Sequence, residues 1–202
     1  MAEIFFTSDL HFCHDKEFLY GPRGFKSVDE MNEAIVERWN SIVKSEDIVF
    51  VLGDLMLNDN EKALKYIGRL NGNLGVVWGN HDGEARQKLL RERLPARLTI
   101  MGYAHQFKHH KLTLYLSHYP TLTANFDDKH FSQHVISLHG HSHQKTNWLQ
   151  PTNPFLYHVG IDSHNCTPVH IEEAISDIRN RWNEIGQLPT SMKPEDLYPY
   201  ME

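Results

Sequence analysis

Five short clusters of aspartate, asparagine and histidine could bind metal ions. They offer seven candidate ligands: Asp9, His11, Asp54, Asn80, His118, His141 and His143. Carboxylate, amide and imidazole donors without cysteine suit divalent ions such as Mn²⁺, Fe²⁺, Ni²⁺ or Zn²⁺. Seven ligands are too many for one ion, but they are enough for two ions if one carboxylate bridges them. The clusters therefore predict a dinuclear metal centre.

The spacing inside two of these clusters favours joint binding of one ion. In extended backbone, residues two apart point to the same side, so Asp9 and His11 can reach the same ion. The same spacing relates His141 and His143. The other clusters are weak signals alone, because a Gly-Asp pair such as Gly53–Asp54 is common in turns. The indication comes from all five clusters occurring together.

The elements that must position these clusters alternate between β-rich runs and helical patterns, which indicates an α/β fold. We predict strands over residues 3–8, 47–52, 74–78, 98–101, 104–108, 112–116, 135–138 and 155–160, and helices over 61–70, 84–93 and about 170–185. Another helix is expected to begin after Ser27, which with Glu30 forms a capping box. Each cluster follows a predicted strand, the end at which open α/β sheets place their ligands.

The composition is that of a globular protein. The chain has 202 residues, of which 40% are hydrophobic and 23% charged, and these values exclude a disordered or fibrous chain. A net charge of −6 argues against a dedicated nucleic-acid binder, and two cysteines do not indicate a disulfide framework. We expect one domain over residues 1–202, with a core at about 3–185 and an extended tail at 186–202. Because we find no signal-peptide pattern and no apolar run of about 20 residues, we expect a cytoplasmic protein without a membrane partner.

Taken in order, the motifs Asp-x-His, Gly-Asp, Gly-Asn-His-Asp, His and Gly-His-x-His resemble those of the calcineurin-like metallophosphoesterase superfamily. The flanking residues 6–11 and 138–143 are most similar to its small bacterial and phage-type members. The resemblance extends over residues 3 to about 175. It implies a two-sheet βα sandwich, with helices flanking the sheets and a dinuclear metal site at the C-terminal ends of the strands.

The resemblance also implies how the ligands are shared between two divalent ions. One ion would be held by Asp9, His11, Asp54 and His143, and the other by Asp54, Asn80, His118 and His141, with Asp54 as the bridge. Mn²⁺ is the preferred ion, with Fe²⁺, Ni²⁺, Zn²⁺ and Mg²⁺ as alternatives. Cys13 departs from the pattern, since many relatives have glycine there. We expect a partly buried, inert thiol rather than a metal contact at this position.

The expected reaction is hydrolysis of a phosphate ester by a hydroxide that two metal ions activate. His81 is the candidate general acid for the leaving oxygen, and Asp82 is expected to orient its ring. His14 and Arg23 are candidate substrate contacts, because His14 follows the first metal motif and arginine suits bidentate binding of phosphate. Substrate choice is expected to depend on the loops at 12–26, 58–61 and 120–134.

The leading hypothesis is a phosphodiesterase that acts on a small, nucleotide-type diester. One alternative is a phosphomonoesterase with the same site. Another, of a different class, is a metal-binding scaffold without catalysis, which is disfavoured because every ligand position and His81 are present. A nucleic-acid substrate is less favoured because of the acidic balance. The sequence leaves the oligomeric state open.

Overall fold

Two β-sheets form the framework, in a computed structural model that describes residues 2–123 and 130–185. In the first sheet, β1 (Ile4–Thr7), β2 (Ile48–Leu52), β3 (Asn73–Val77) and β4 (Leu98–Gly102) are parallel, and β9 (Val169–His170) runs antiparallel to β1. In the second sheet, β5 (Ala104–His109) is antiparallel to β6 (Leu112–Ser117), which continues in parallel to β7 (Val135–His139) and β8 (Leu156–His158). The predicted α/β class with two sheets is confirmed.

Alternation along the central strands explains why the sheets pack together. Phe5 and Val49 point toward a core between the first sheet and its helices. Their neighbours Phe6 and Phe50 point the other way, into a core shared with Leu114 and other residues of the second sheet. Successive side chains of a strand point to opposite faces. Because β1 and β2 are apolar on both faces, they are covered on both sides.

The helices cover the outer face of the first sheet and part of the inter-sheet core. Helices α2 (Val28–Ile42), α3 (Asn60–Ile67) and α4 (Glu84–Arg93) bury their apolar faces against the first sheet, while α5 (Ile171–Ile185) packs into the second core. The start of α2 was predicted correctly, since the Ser27 hydroxyl accepts a hydrogen bond from the Glu30 amide (3.2 Å).

Some predicted boundaries were wrong, and three short elements were not predicted, one of them a 3₁₀ helix at Phe131–Gln133. The expected strand at 155–160 is the shorter β8, and Gly160 instead forms an isolated bridge with Ser8. The four-residue α1 (Glu17–Tyr20) and the two-residue β9 were too short to produce a periodic pattern. The expected tail at 186–202 lies outside the described residues. Across residues 2–123 and 130–185, no helix is long and apolar enough to cross a membrane.

Asp47 joins the beginning of β1 to the turn before β2. Its Oδ1 accepts a hydrogen bond from the Glu3 amide (2.9 Å) and its Oδ2 accepts one from the Lys44 amide (2.8 Å). Burial raises the pKa of Asp47, but these two amides outweigh the effect and leave the pKa below its ordinary value. The ionised carboxylate therefore stabilises the folded state.

We expect Asp47→Asn to lower the free energy of unfolding by about 1–3 kcal/mol at pH 7, because an amide NH₂ would replace one of the two buried acceptors. Since the folded pKa is depressed, the ionised group adds stability above the unfolded pKa of about 3.9 and loses it as pH falls through the folded pKa. Urea unfolding of the metal-free proteins should therefore show a difference that shrinks below about pH 4. The exposed Glu37→Gln of α2 is the control. Equal stability of Asp47→Asn and the wild type at pH 7 would contradict this role.

Candidate metal centre

The five polar clusters meet at the edge where strands of both sheets end. The first sheet contributes Asp9 and His11 after β1, Asp54 after β2 and Asn80 after β3, and the second contributes His118 after β6 and His141 and His143 after β7. Parallel strands bring their carboxyl ends to the same edge, which explains why residues far apart in the chain converge here. All seven predicted ligands lie in this one region.

Asp9, His11 and His143 form a first group of donor atoms. The Nε2 atoms of His11 and His143 are 3.2 Å apart. Asp9 Oδ1 lies 3.9 Å from His11 Nε2 and 3.7 Å from His143 Nε2. This oxygen is buried and has no hydrogen-bond partner in the described part of the chain, whereas Asp9 Oδ2 accepts hydrogen bonds from the Ser8 hydroxyl (2.5 Å) and the His141 amide (2.9 Å). Asp9 therefore turns one fixed, unpaired oxygen toward the two imidazoles.

Asn80, His118 and His141 form a second group. Asn80 Oδ1 lies 2.8 Å from His118 Nε2 and 3.0 Å from His141 Nδ1, and these two nitrogens are 3.2 Å apart. The other ring nitrogen of His118, Nδ1, lies 2.8 Å from the carbonyl oxygen of Leu52, which can accept a hydrogen bond but cannot donate one. This contact assigns the proton to Nδ1 and leaves the lone pair of Nε2 directed into the group.

Asp54 lies between the two groups. Its Oδ2 is 3.6 Å from His11 Nε2 in the first group and 3.4 Å from His118 Nε2 in the second. Its Oδ1 accepts a hydrogen bond from the backbone amide of His81 (2.9 Å). The donor set thus fits two divalent ions that share one carboxylate, because oxygen and imidazole ligands converge on two neighbouring positions.

The electrostatics of the buried groups also fit cations at this place. Burial, followed by the positive charge of His143, lowers the pKa of His11 well below its ordinary value. Burial and then His118 lower the pKa of His141. Neutral imidazole is the form whose lone pair binds a metal. Burial also raises the pKa of Asp54, a direction that a nearby divalent cation would reverse.

Much of the backbone at this centre is in the left-handed region. Five of the seven candidate ligands have positive φ: Asp9 (58°), His11 (50°), Asp54 (57°), His141 (69°) and His143 (48°). This conformation is uncommon for residues with a Cβ, and it is found in structures that hold a functional group in a fixed direction. Contacts at the ends of the strands must stabilise this left-handed conformation.

Two glycines permit the close approach of these loops. A Cβ at Gly140 would lie 2.5 Å from Asp9 Oδ2, and a Cβ at Gly79 would overlap the Asp54 carboxylate. Neither neighbour can move without displacing a candidate ligand. Glycine is therefore required at both positions for steric reasons.

His81 lies at the mouth of the centre, where its side chain is 42% exposed. Its Nε2 is 4.0 Å from Asp54 Oδ2, and its ring centroid is 5.4 Å from that of His11. The imidazole is thus accessible to a bound substrate and adjacent to both donor groups. This position is compatible with the predicted general acid.

The structure corrects the expected role of Asp82. Its Oδ2 accepts hydrogen bonds from the amides of Asp54 and Gly79, both at 2.8 Å, and its Oδ1 accepts a longer one from Leu55 (3.4 Å). These bonds direct the carboxylate to the backbone that follows β2 and β3, and not to the His81 ring. Asp82 therefore fixes the loop that carries Asp54.

The structure also corrects the expected role of Arg23. Its side chain is fully buried, and Nε and Nη2 each donate a hydrogen bond of 2.9 Å to the carboxylate of Asp162. Nη2 also donates to the carbonyl oxygen of Asp9 (2.8 Å). These bonds occupy the guanidinium, so Arg23 braces the loop after β1 instead of facing a substrate.

Asp162 is the residue of this site to which sequence reasoning assigned no role. Its Oδ2 lies 2.9 Å from His143 Nδ1, and this contact orients the ring so that Nε2 faces the first donor group. Burial lowers the pKa of His143, but the hydrogen bond with Asp162 outweighs it and raises the pKa overall. The available signal was the segment Val159-Gly160-Ile161-Asp162, which resembles the family.

Of the remaining predicted residues, His14 lies near the centre and Cys13 is directed away from it. The ring centroid of His14 is 5.3 Å from that of His11 and 5.8 Å from that of Phe18, and His14 lines a cavity beside the centre. The thiol of Cys13 is buried in the core beside Asn32, whose Nδ2 lies 3.6 Å from Sγ. Burial raises the pKa of Cys13. The expectation of a buried thiol is met.

Known proteins resemble the chain in both sequence and fold. The Gene 66 protein of Mycobacterium phage D29 is 29% identical over 199 residues, which cover 88% of this chain and 98% of that protein. An uncharacterized protein of Methanocaldococcus jannaschii is 42% identical over 84 residues, 41% of this chain and about half (48%) of that relative. The crystal structure of a protein of unknown function from Aquifex aeolicus has a similar fold, with 21% identity, a TM-score of 0.62, and coverage of 87% of this chain and 99% of that one.

The sequence model of one protein family matches most of the chain. The sequence model of the calcineurin-like phosphoesterase superfamily domain matches residues 3–153, which include all seven candidate ligands and His81. The order of the strands and the convergence of the donor atoms agree with this match. The protein therefore belongs to the calcineurin-like phosphoesterase superfamily and is a metallophosphoesterase, a hydrolase of phosphate esters.

Proposed function

We propose that the protein is a phosphodiesterase that depends on two divalent metal ions, preferably Mn²⁺, and acts on a small nucleotide-type diester. The observation that carries the proposal is the position of Asp54 Oδ2, which lies 3.6 Å from His11 Nε2 and 3.4 Å from His118 Nε2. A carboxylate in this position can be shared by two ions.

The two ions would be held by the two donor groups. The first would use Asp9, His11, Asp54 and His143, and the second would use Asp54, Asn80, His118 and His141. When bound, the ions activate water as a nucleophile and neutralise charge on the phosphoryl oxygens. Burial lowers the pKa of His11 and of His141, and hydrogen bonds to Asp9 and Asp54 hold these two carboxylates in a fixed orientation.

His81 would act on the leaving group. Its backbone amide is held by Asp54 Oδ1, so the position of the ring is tied to the carboxylate shared by the two donor groups. The exposed imidazole can donate a proton to the oxygen that leaves phosphorus, and the products are a phosphate monoester and an alcohol. An acid in this place matters most when the leaving oxygen is basic.

The charge near the centre favours a diester over a monoester. Arg23 is buried and bonded to Asp162, and within residues 2–123 and 130–185 Lys145 is the one lysine or arginine that lines the cavity beside the centre. A phosphodiester carries one negative charge, whereas a monoester approaches two near neutral pH. The cavity supplies little extra positive charge for a dianion, and it has a volume of about 550 Å³ that a second ester group could occupy.

The first test of the proposal is turnover by chelated protein to which Mn²⁺ is returned. We expect no cleavage without metal, and with Mn²⁺ a higher kcat/KM for bis-p-nitrophenyl phosphate than for p-nitrophenyl phosphate. Asp54→Asn should lose both metal ions and activity, because it weakens the shared ligand. A preference for the monoester would indicate a phosphatase instead of a phosphodiesterase. Absence of cleavage of either ester with two ions bound would contradict a hydrolytic function.

The role of His81 can be tested with diphenyl phosphates whose leaving phenols become progressively more basic. We expect His81→Ala to lower kcat by about 10²-fold or more for the most basic leaving group, and much less for p-nitrophenolate. His105→Ala, in β5 and outside the centre, is the control. A variant with an unchanged dependence on the leaving group would show that His81 is not the acid.

The positioning role of Asp162 predicts a selective loss of metal affinity. Asp162→Asn should weaken binding of one of the two Mn²⁺ ions by about 10–100-fold, because His143 loses the carboxylate that orients it. Titration calorimetry would measure both sites. Asp177→Asn is the matched control, since its carboxylate also accepts a hydrogen bond, from Tyr157 (2.8 Å), but lies outside the centre. Unchanged affinity at both sites in Asp162→Asn would contradict the assignment.

A further inference from the structure

A cavity next to the candidate metal centre is lined by both polar and apolar residues. The polar residues include His11, His81 and His143, which belong to the centre. The lining also includes the apolar residues Phe18, Leu19, Pro22 and Leu57, and we call these four residues the apolar subsite. Because both sets of residues line one cavity, a group attached to a phosphate at the centre can reach the apolar subsite.

Phe18 is presented to solvent by a short, anchored helix. Its side chain is 72% exposed, although its neighbour Leu19 is buried in the core and holds α1 in place. The Phe18 ring lies edge-on to His14, with centroids 5.8 Å apart and an interplanar angle of 88°. Ligand pockets are commonly lined by aromatic and apolar side chains beside a few polar groups, and Phe18 lines the cavity together with the histidines of the centre.

The distances between neighbouring rings indicate where a group attached to the phosphate could lie. The His14 centroid is 5.3 Å from that of His11 and 5.8 Å from that of Phe18, so its imidazole is close to both a candidate ligand and the apolar subsite. A flat group placed over His14 would lie against Phe18 while its phosphate remained near His11. Aromatic groups gain additional stabilisation from such ring contacts, whereas a small alkyl group does not.

The charge of the cavity also restricts the charge of the group that can bind. Lys145 is 53% exposed, and its Nζ donates a hydrogen bond of 2.8 Å to the carbonyl oxygen of Pro22. Asp162, the only carboxylate among the described residues that line the cavity, is bonded to the buried Arg23. One accessible cation suits a neutral aromatic group on a single phosphate, and it does not suit a polyanion.

We propose that the apolar subsite binds a flat aromatic group of the substrate, as in a nucleoside or aryl ester, so that aromatic phosphodiesters are preferred over alkyl ones. The inference rests on the proposed function, since it places the phosphate at the metal centre. Phe18 provides the ring contact, and Leu19, Pro22 and Leu57 provide the apolar surface that the group covers.

The test compares binding of two monoanionic diester mimics, phenyl methylphosphonate and ethyl methylphosphonate, to Mn²⁺-loaded protein by calorimetry. We expect the wild type to bind the phenyl compound about 10-fold more tightly. Phe18→Ala should remove most of this preference and leave the affinity for the ethyl compound unchanged. Phe18→Leu, which keeps apolar area without the ring, should retain only part of it.

Two control variants separate this effect from general changes. Tyr103→Ala removes an aromatic side chain that is 71% exposed but lies outside the cavity, and it should retain the full preference. Lys145→Gln should weaken the binding of both compounds by a similar factor and leave the ratio of their affinities unchanged.

The outcomes distinguish the two proposals. Equal binding of the two compounds by the wild type, or a preference that persists in Phe18→Ala, would overturn the apolar subsite even if bis-p-nitrophenyl phosphate is hydrolysed. If that diester is not hydrolysed and neither compound binds to the loaded protein, the proposed function fails and the apolar subsite fails with it.

Discussion

The Asp54 carboxylate is the contact on which the arrangement of the centre depends. One oxygen holds the backbone amide of His81, the other lies between His11 and His118, and the Asp54 amide itself donates to Asp82. The ends of β2 and β3 are thereby fixed to each other. Placing this carboxylate away from water is costly unless charge compensates it, and two divalent cations would supply that charge.

The centre combines an ordinary framework with an uncommon backbone. Hydrophobic alternation in β1 and β2 produces a rigid two-sided sheet, whereas the loops that follow these strands place Asp9, His11 and Asp54 in the left-handed region. The strain is tolerated because each loop is bonded to another, for example through Arg23 and the carbonyl oxygen of Asp9. The geometry of the candidate metal centre is thus maintained in part by a residue that is not one of its candidate ligands.

Sequence reasoning predicted eight of the nine strands, all except β9, because strand patterns are local. It also predicted the convergence of the seven polar residues, because parallel strands end at the same edge of a sheet. It did not predict the role of Asp162, whose partners Arg23 and His143 lie far away in the chain and have no spacing that relates them. It also assigned the wrong contacts to Arg23 and Asp82. Residue type indicates that a side chain can bind phosphate or orient a ring, but the folded chain decides which partner it contacts.

Each donor group contains residues from both sheets. His143 comes from the second sheet and joins Asp9 and His11 of the first, while His118 and His141 of the second join Asn80 of the first. An ion bound to either group would link the two sheets through its ligands. Since unfolding separates the sheets and destroys both groups, the ions would bind the native state alone and stabilise it by mass action. The thermal stability of this protein should therefore increase with the concentration of free divalent metal ions.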